Sequence, residues 1–299
     1  MIRSIPNNPY LRHVSNRVTS GDTGLADHVF LHSEALLNER NDAAPVVFLS
    51  GAEEPSSRWP VELLVELAQL TGGSIWFDTR DIGQSSWVDE PYELADLIVD
   101  TLHVLDAYDV PTAHFVGRGM GGQIAQQLTL AVPERVSSLT LLSSTPGRRD
   151  DFGDPADWLV DKMSERLFAD PPTDADEVAE WITDQLEWFN GPVFNFDREA
   201  TLAQMYDEIA DGWRGPNGHG LVVVEAPDVV DFLVNITKPA LVVHGTSDPV
   251  YPVPHAQGLA NRLPNSQLVL VEGLGHELPN QFVPQLVALM SEHVLSDTP

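Results

Sequence analysis

Residues Ala113 to Gln127 read "AHFVGRGMGGQIAQQ". An apolar run passes through Gly117-Arg118-Gly119-Met120-Gly121 into a helical pattern, the strand, sharp turn and helix in which the motif G-x-S-x-G presents a nucleophilic serine. Here the central residue is Gly119. Glycine has no side chain with which to attack, so no acyl-enzyme can form at this position. What the chain keeps around the missing hydroxyl has to be read from the rest of the sequence.

A second reading of the same stretch is a dinucleotide fingerprint, because Gly117, Gly119 and Gly122 satisfy G-x-G-x-x-G between a strand and a helix. Such a unit usually opens its domain and carries an acidic residue on a second strand about 20 residues later. This stretch lies deep in the chain, and "SSLTLLSST" ends without the acid. The elbow reading is retained.

Short runs rich in valine, leucine and isoleucine recur along the chain: "APVVFLS" near 44-50, "SIWFDTR" near 74-80, "AHFVG" near 113-117, "SSLTLLSS" near 137-144, "ALVVHG" near 240-245 and "QLVLVEG" near 267-273. Strands apolar along their whole length have both faces covered, which predicts a parallel sheet of an α/β fold. Helical spacing over Pro91 to Asp109 (Leu94, Leu97, Ile98, Leu102, Leu105) and over Gln123 to Ala131 supplies crossovers, and Pro133 ends the second. Strand patterning stops after about Thr145. From 146 to 236 the chain is acidic, with helical patterns carrying Trp158, Trp181, Trp188, Phe189, Phe194, Phe196 and Trp213. We therefore expect a core formed by 1–145 and 237–299 and a helical cap formed by 146–236. Aromatics at helical spacing serve first as packing and can also wall a pocket.

Two loops after strands complete the constellation. "ALVVHGTSDPVYP" places Asp248 just past one strand, and "QLVLVEGLGHELP" places His276 just past the next. The chain order elbow, acid, histidine is that of a triad on such a sheet. Alone, the first is an Asp-Pro turn and the second a loop histidine. In this order and at strand ends, a carboxylate can fix the imidazole tautomer and leave the other ring nitrogen as a base aimed at the elbow. The loop "FLSGAEEPSSRWP" follows the first strong strand, where an oxyanion loop belongs, so the Ala52 and Met120 N–H groups are the candidate oxyanion donors. Ser50 stands where a histidine usually precedes the glycine; a strand-end serine is usually structural, and the substitute-nucleophile reading is the lesser alternative. His244 falls within its strand and reads as a packed histidine.

"FDTRDIGQSS", the elbow, "GTSDPVYPVPHAQGLANRLPNSQLVLVEGLGHELP" and the final helix together resemble the α/β-hydrolase superfamily, especially its aclacinomycin-methylesterase-like bacterial members. The resemblance spans the sheet regions, about two thirds of the chain. It implies an α/β-hydrolase fold, a cap-covered pocket, a Ser-His-Asp site whose serine is replaced by Gly119, and esters of polyketide-like natural products as substrates.

Composition narrows the partners. Sixteen basic against forty-five acidic residues give a formal charge of -29, which repels nucleic acid and anionic lipid surfaces. With no cysteine, disulfides, thiolate metal sites and cysteine nucleophiles are excluded. No metal-ligand spacing or phosphate-cradling loop appears, so chemistry without a cofactor or metal is expected. "MIRSIPNNPYLRHVSN" lacks a continuous apolar core, and no run approaches the roughly 18 apolar residues of a membrane span. A cytoplasmic protein with a small-molecule substrate is expected. Four readings stay open: base catalysis by His276 and Asp248 without a covalent step (lyase, isomerase, cyclase or decarboxylase type); a serine esterase whose nucleophile was replaced; a non-catalytic small-molecule binder; and hydrolysis by a base-activated water or a nucleophile such as Ser50.

Overall fold

The computed structural model describes residues 9–19, 29–170, 172–212 and 217–296. Trp213 and the opening eight residues of the N-terminal stretch lie outside the described residues. Eight strands form one sheet: β1 (Leu11–Thr19), β2 (Phe30–Asn38), β3 (Val46–Leu49), β4 (Gly73–Phe77), β5 (Ala113–Arg118), β6 (Val136–Leu142), β7 (Ala240–Gly245) and β8 (Ser266–Val271). Their spatial order is β1-β2-β4-β3-β5-β6-β7-β8. β2 runs antiparallel to β1 and β4, while β3 to β8 are mutually parallel. The six apolar runs in the sequence are β3 to β8.

Those runs are apolar throughout because each face has its own helical layer. In β3, Val47 and Leu49 enter one core, with Leu97 of α2 (Leu94–Ala107), Ile124 and Leu128 of α3 (Met120–Ala131) and Leu259 of α8 (Val253–Arg262). Val46 and Phe48 enter the other, with Leu63 and Leu67 of α1 (Val61–Leu70) and Leu286 and Met290 of α9 (Val283–Ser296). Helix α2 starts at a reciprocal capping box between Glu93 and Asp96. Helix α3 begins at Met120, three residues earlier than its spacing predicts, because the elbow runs into the helix with no intervening loop.

Between β6 and β7 the described residues contain no strand. They form α4 (Asp157–Leu167), α5 (Ala175–Phe189), α6 (Arg198–Ala210) and α7 (His219–Glu225), joined by short turns and a 3₁₀ stretch at Val230–Asn235. Helices α5 and α6 share a small core of their own, Ala179, Ile182, Leu186 and Met205. Among the described residues no helix is long and apolar enough to cross a membrane.

Candidate active site

The elbow exists because three close approaches leave no room for side chains. A Cβ on Gly121 would lie 2.0 Å from the Leu49 carbonyl oxygen, and one on Gly117 would lie 2.3 Å from the Gly121 carbonyl oxygen. A Cβ on Gly122 would meet Ser144 Oγ at 2.3 Å. Helix α3 can thus press against β3 and β5 only with glycine at these places. Gly119 differs. Its backbone is at φ +50° and ψ −114°, yet a Cβ there would meet only His276 Nε2 at 3.7 Å and Gly51 Cα at 3.8 Å, ordinary contact distances. The turn is fixed by Gly119 N–H donating to Leu142 O (3.0 Å) and by Ser144 Oγ donating to Gly119 O (2.9 Å).

Asp248 and His276 follow β7 and β8 and meet across 2.8 Å, Nδ1 to Oδ2. Asp248 is buried, and its other oxygen accepts the Val250 and Tyr251 N–H groups at 2.8 and 2.9 Å. Burial pushes this carboxyl up, but the His276 ring and those bonds outweigh it and hold its pKa below the ordinary carboxylate value. A carboxylate at Nδ1 keeps the proton there, so the Nε2 lone pair is the one that faces Gly119. The ring is held edge-on by Phe189 of α5 and by Tyr251, at centroid distances of 5.7 and 5.6 Å. The His276 N–H donates to Phe189 O at 2.8 Å. Helix α5 therefore positions the histidine loop as well as standing over it.

Ala52 and Met120 line the same cavity as Gly119 and His276. Met120 is the first residue of α3, and an amide there has no acceptor within its helix. Among the described residues no hydrogen-bond acceptor lies on the Ala52 or Met120 N–H. The cavity itself measures about 370 Å³, and the cap contributes mostly apolar lining, with Met163 of α4 and Trp181, Leu186 and Phe189 of α5 beside Gln185. That size suits a small organic molecule. Among the described residues no group of three or more histidine or carboxylate side chains is placed to hold a metal ion.

Ser50 is buried, and its Oγ accepts the Trp59 Nε1–H at 3.1 Å. Its hydroxyl ties the turn before α1 to the end of β3, and Ser50 is not among the residues lining the cavity. His244 is fully buried in β7; its Nε2 donates to Tyr251 O at 2.7 Å and lies 3.5 Å from Asp248.

Motif reading passes over five further residues. His219, the first residue of α7, accepts the Glu53 N–H at Nδ1 (3.1 Å) and donates from Nε2 to Arg80 O (2.9 Å), which pins the loop carrying Ala52. Glu53 holds φ +59°, a conformation few side-chain-bearing residues adopt. Its carboxyl, on the cavity wall, is pushed up by burial. Arg118, Glu54 and Glu277 form buried ion pairs beside the elbow. The available signal is adjacency: each of these three lies within a residue or two of a motif position, charged where a strand-end loop is otherwise small or apolar.

A family model for the alpha/beta hydrolase fold matches residues 44–279. Rhodomycin D methylesterase DnrP of Streptomyces peucetius is 30% identical over 295 residues, covering 91% of this chain and 97% of that protein. Rhodomycin D methylesterase DauP of Streptomyces sp. (strain C5) is 31% identical with the same coverage. The esterase RhEst1 from Rhodococcus sp. ECU1013 superposes with a TM-score of 0.75 at 21% identity, over 97% of this chain and 100% of that one. Its likeness is one of fold. The matched span runs from β3 past His276 and the similarity to the two methylesterases extends along nearly the whole chain, so this chain belongs to the α/β-hydrolase fold family.

Proposed function

We propose that this chain is an α/β-hydrolase-fold enzyme that acts on a polyketide-like or ester-containing metabolite by His276–Asp248 base chemistry, without a covalent serine intermediate. The observation that carries the reading is the open place beside Gly119, faced by His276 Nε2 and with no side chain in it. A water or the acidic C–H of a substrate seated there gives its proton to Nε2, and Asp248 stabilises the imidazolium that results. Negative charge developing on the neighbouring carbonyl oxygen is received by the Ala52 and Met120 N–H groups. With water as the nucleophile the step is direct ester hydrolysis; with a carbon acid it is an enolate reaction ending in elimination, isomerisation, cyclisation or decarboxylation. The substrate class rests on the two methylesterase relatives and on the apolar wall of the cavity.

A second reading, a serine esterase whose nucleophile has been replaced, is favoured by one specific fact. Of the glycines in the elbow, only Gly119 faces no neighbour that excludes a Cβ.

One experiment separates the outcomes. The protein is incubated with rhodomycin D in deuterated water, and methanol release, deuterium uptake at carbon and covalent adducts are followed by mass spectrometry. Methanol without an adduct reports attack by water; deuterium uptake with the ester intact reports the enolate route. His276→Ala is expected to lower either rate by about 10²–10⁴-fold with folding preserved. Unchanged turnover in His276→Ala would overturn the reading, and binding without any turnover would make the chain a binder. A full esterase burst from Gly119→Ser, with no reaction by the glycine form, would establish the second reading.

A further inference from the structure

We propose that Arg118 is a positioning residue, a buried clamp that holds the oxyanion loop, the elbow and the histidine loop in one frame. It is the last residue of β5 and precedes Gly119, yet its side chain turns inward and is only 8% exposed. Nη1 donates to Glu54 Oε1 at 2.5 Å, and Glu54 Oε2 in turn accepts the Gly51 N–H at 2.8 Å. Nη2 pairs with Glu277 Oε1 at 2.7 Å and donates to the His276 carbonyl oxygen at 3.2 Å. One guanidinium therefore reaches the backbone on either side of the cavity. On one side, through Glu54, it holds the residue before Ala52; on the other it holds the backbone of His276 directly.

The charges at the centre explain why arginine stands here. Buried Glu54 and part-buried Glu277 converge on one cation; burial would push Glu277 up, but Arg118, then Arg58, hold it below the ordinary carboxylate value. Arginine offers a planar fork of donors that satisfies both carboxylates and a carbonyl at once. Lysine supplies the same charge from a single point and cannot span those acceptors. Base and oxyanion donors sit on separate loops, and a displacement of about 1 Å between them costs on the order of 10²-fold in rate. The clamp removes that freedom.

The kinetic consequence rests on the proposed base role of His276, so the test has one readout that needs no substrate. Arg118→Lys retains the charge and is the variant expected to fold; Arg118→Met strands buried Glu54 and part-buried Glu277 and serves as the severe case. In the wild type, the His276 Nδ1–H shared with Asp248 should give a sharp far-downfield proton resonance. In Arg118→Lys it should broaden as the histidine loop gains freedom, while the thermal midpoint moves by only a few degrees. On an ester that the wild type turns over, kcat should fall about 10- to 100-fold and KM should change less than about threefold. An unaltered resonance together with unaltered kcat, beside a lowered thermal midpoint, would reduce Arg118 to a structural ion pair and overturn the proposal. A wild type that neither hydrolyses an ester nor exchanges a substrate C–H for deuterium would sink the base reading, and the resonance would still decide the clamp.

Discussion

The elbow glycines carry different physical burdens, and stability separates them. Gly121→Ala drives a methyl group to within 2.0 Å of Leu49 O and 2.7 Å of Ser50 O, backbone atoms that cannot yield unless α3 lifts off β3. We expect a loss above about 3 kcal/mol, at the severe end of overpacking. Gly119→Ala meets nothing closer than 3.7 Å, so its cost is backbone strain at φ +50°, about 1–3 kcal/mol. Chemical denaturation midpoints of the two variants check the order; equal losses would mean that the elbow is not held by the approach of α3 to β3. The strand-turn-helix pattern and the glycine spacing were legible in the sequence because they follow from local geometry. The different roles of these glycines were not, since they depend on atoms of β3 more than 60 residues away in the chain.

At the scale of elements, the loop after β3 is tied to α7 through His219. This ring is fully buried and uses both nitrogens, one as acceptor for Glu53 N–H and one as donor to Arg80 O, which requires the neutral form. Burial pushes its pKa down from 6.5 to about 4. Between those values the unfolded chain binds a proton that the folded chain refuses, so stability rises with pH across this window. The contribution is fully present above pH 6.5 and is lost as the pH falls toward 4, about 3 kcal/mol at about 1.4 kcal/mol per unit. His219→Gln should flatten that part of the thermal midpoint's pH profile relative to the wild type; an identical slope in both proteins would show that another group carries it. Sequence patterning located β3 to β8 but not β1 and β2. The antiparallel pair has polar positions throughout, including buried Ser33 and Glu34, so it lacks the continuous apolar signature of the central strands. His219 was equally hidden, because its partner Glu53 is brought to it only by the packing of α7 over the sheet.

The whole molecule carries a formal charge of -29, and this sets a response that no single residue explains. Arginine is largely committed: Arg58, Arg80 and Arg118 are spent on buried carboxylates, and Arg198 alone faces Glu180, Asp184 and Glu187. Forty-five acidic residues outnumber sixteen basic ones, and at low ionic strength the excess negative charge repels across the surface. The Debye length shrinks from about 30 Å at 0.01 M salt to about 10 Å at 0.1 M, which removes the long-range repulsion but leaves buried pairs nearly unscreened. The thermal midpoint should therefore rise by several degrees between these concentrations and level off above them. The acidic face of α5, with Asp176, Glu177, Glu180 and Asp184 around Trp181, should gain hydrogen-exchange protection over the same range, because Arg198 offsets only part of that charge. Trp181 also lines the proposed active-site cavity, so catalytic turnover should follow the same salt profile. Sodium chloride and choline chloride at equal ionic strength should act alike if screening is the cause. A midpoint that falls with salt would mean that surface ion pairs, rather than net repulsion, dominate the electrostatics of this chain.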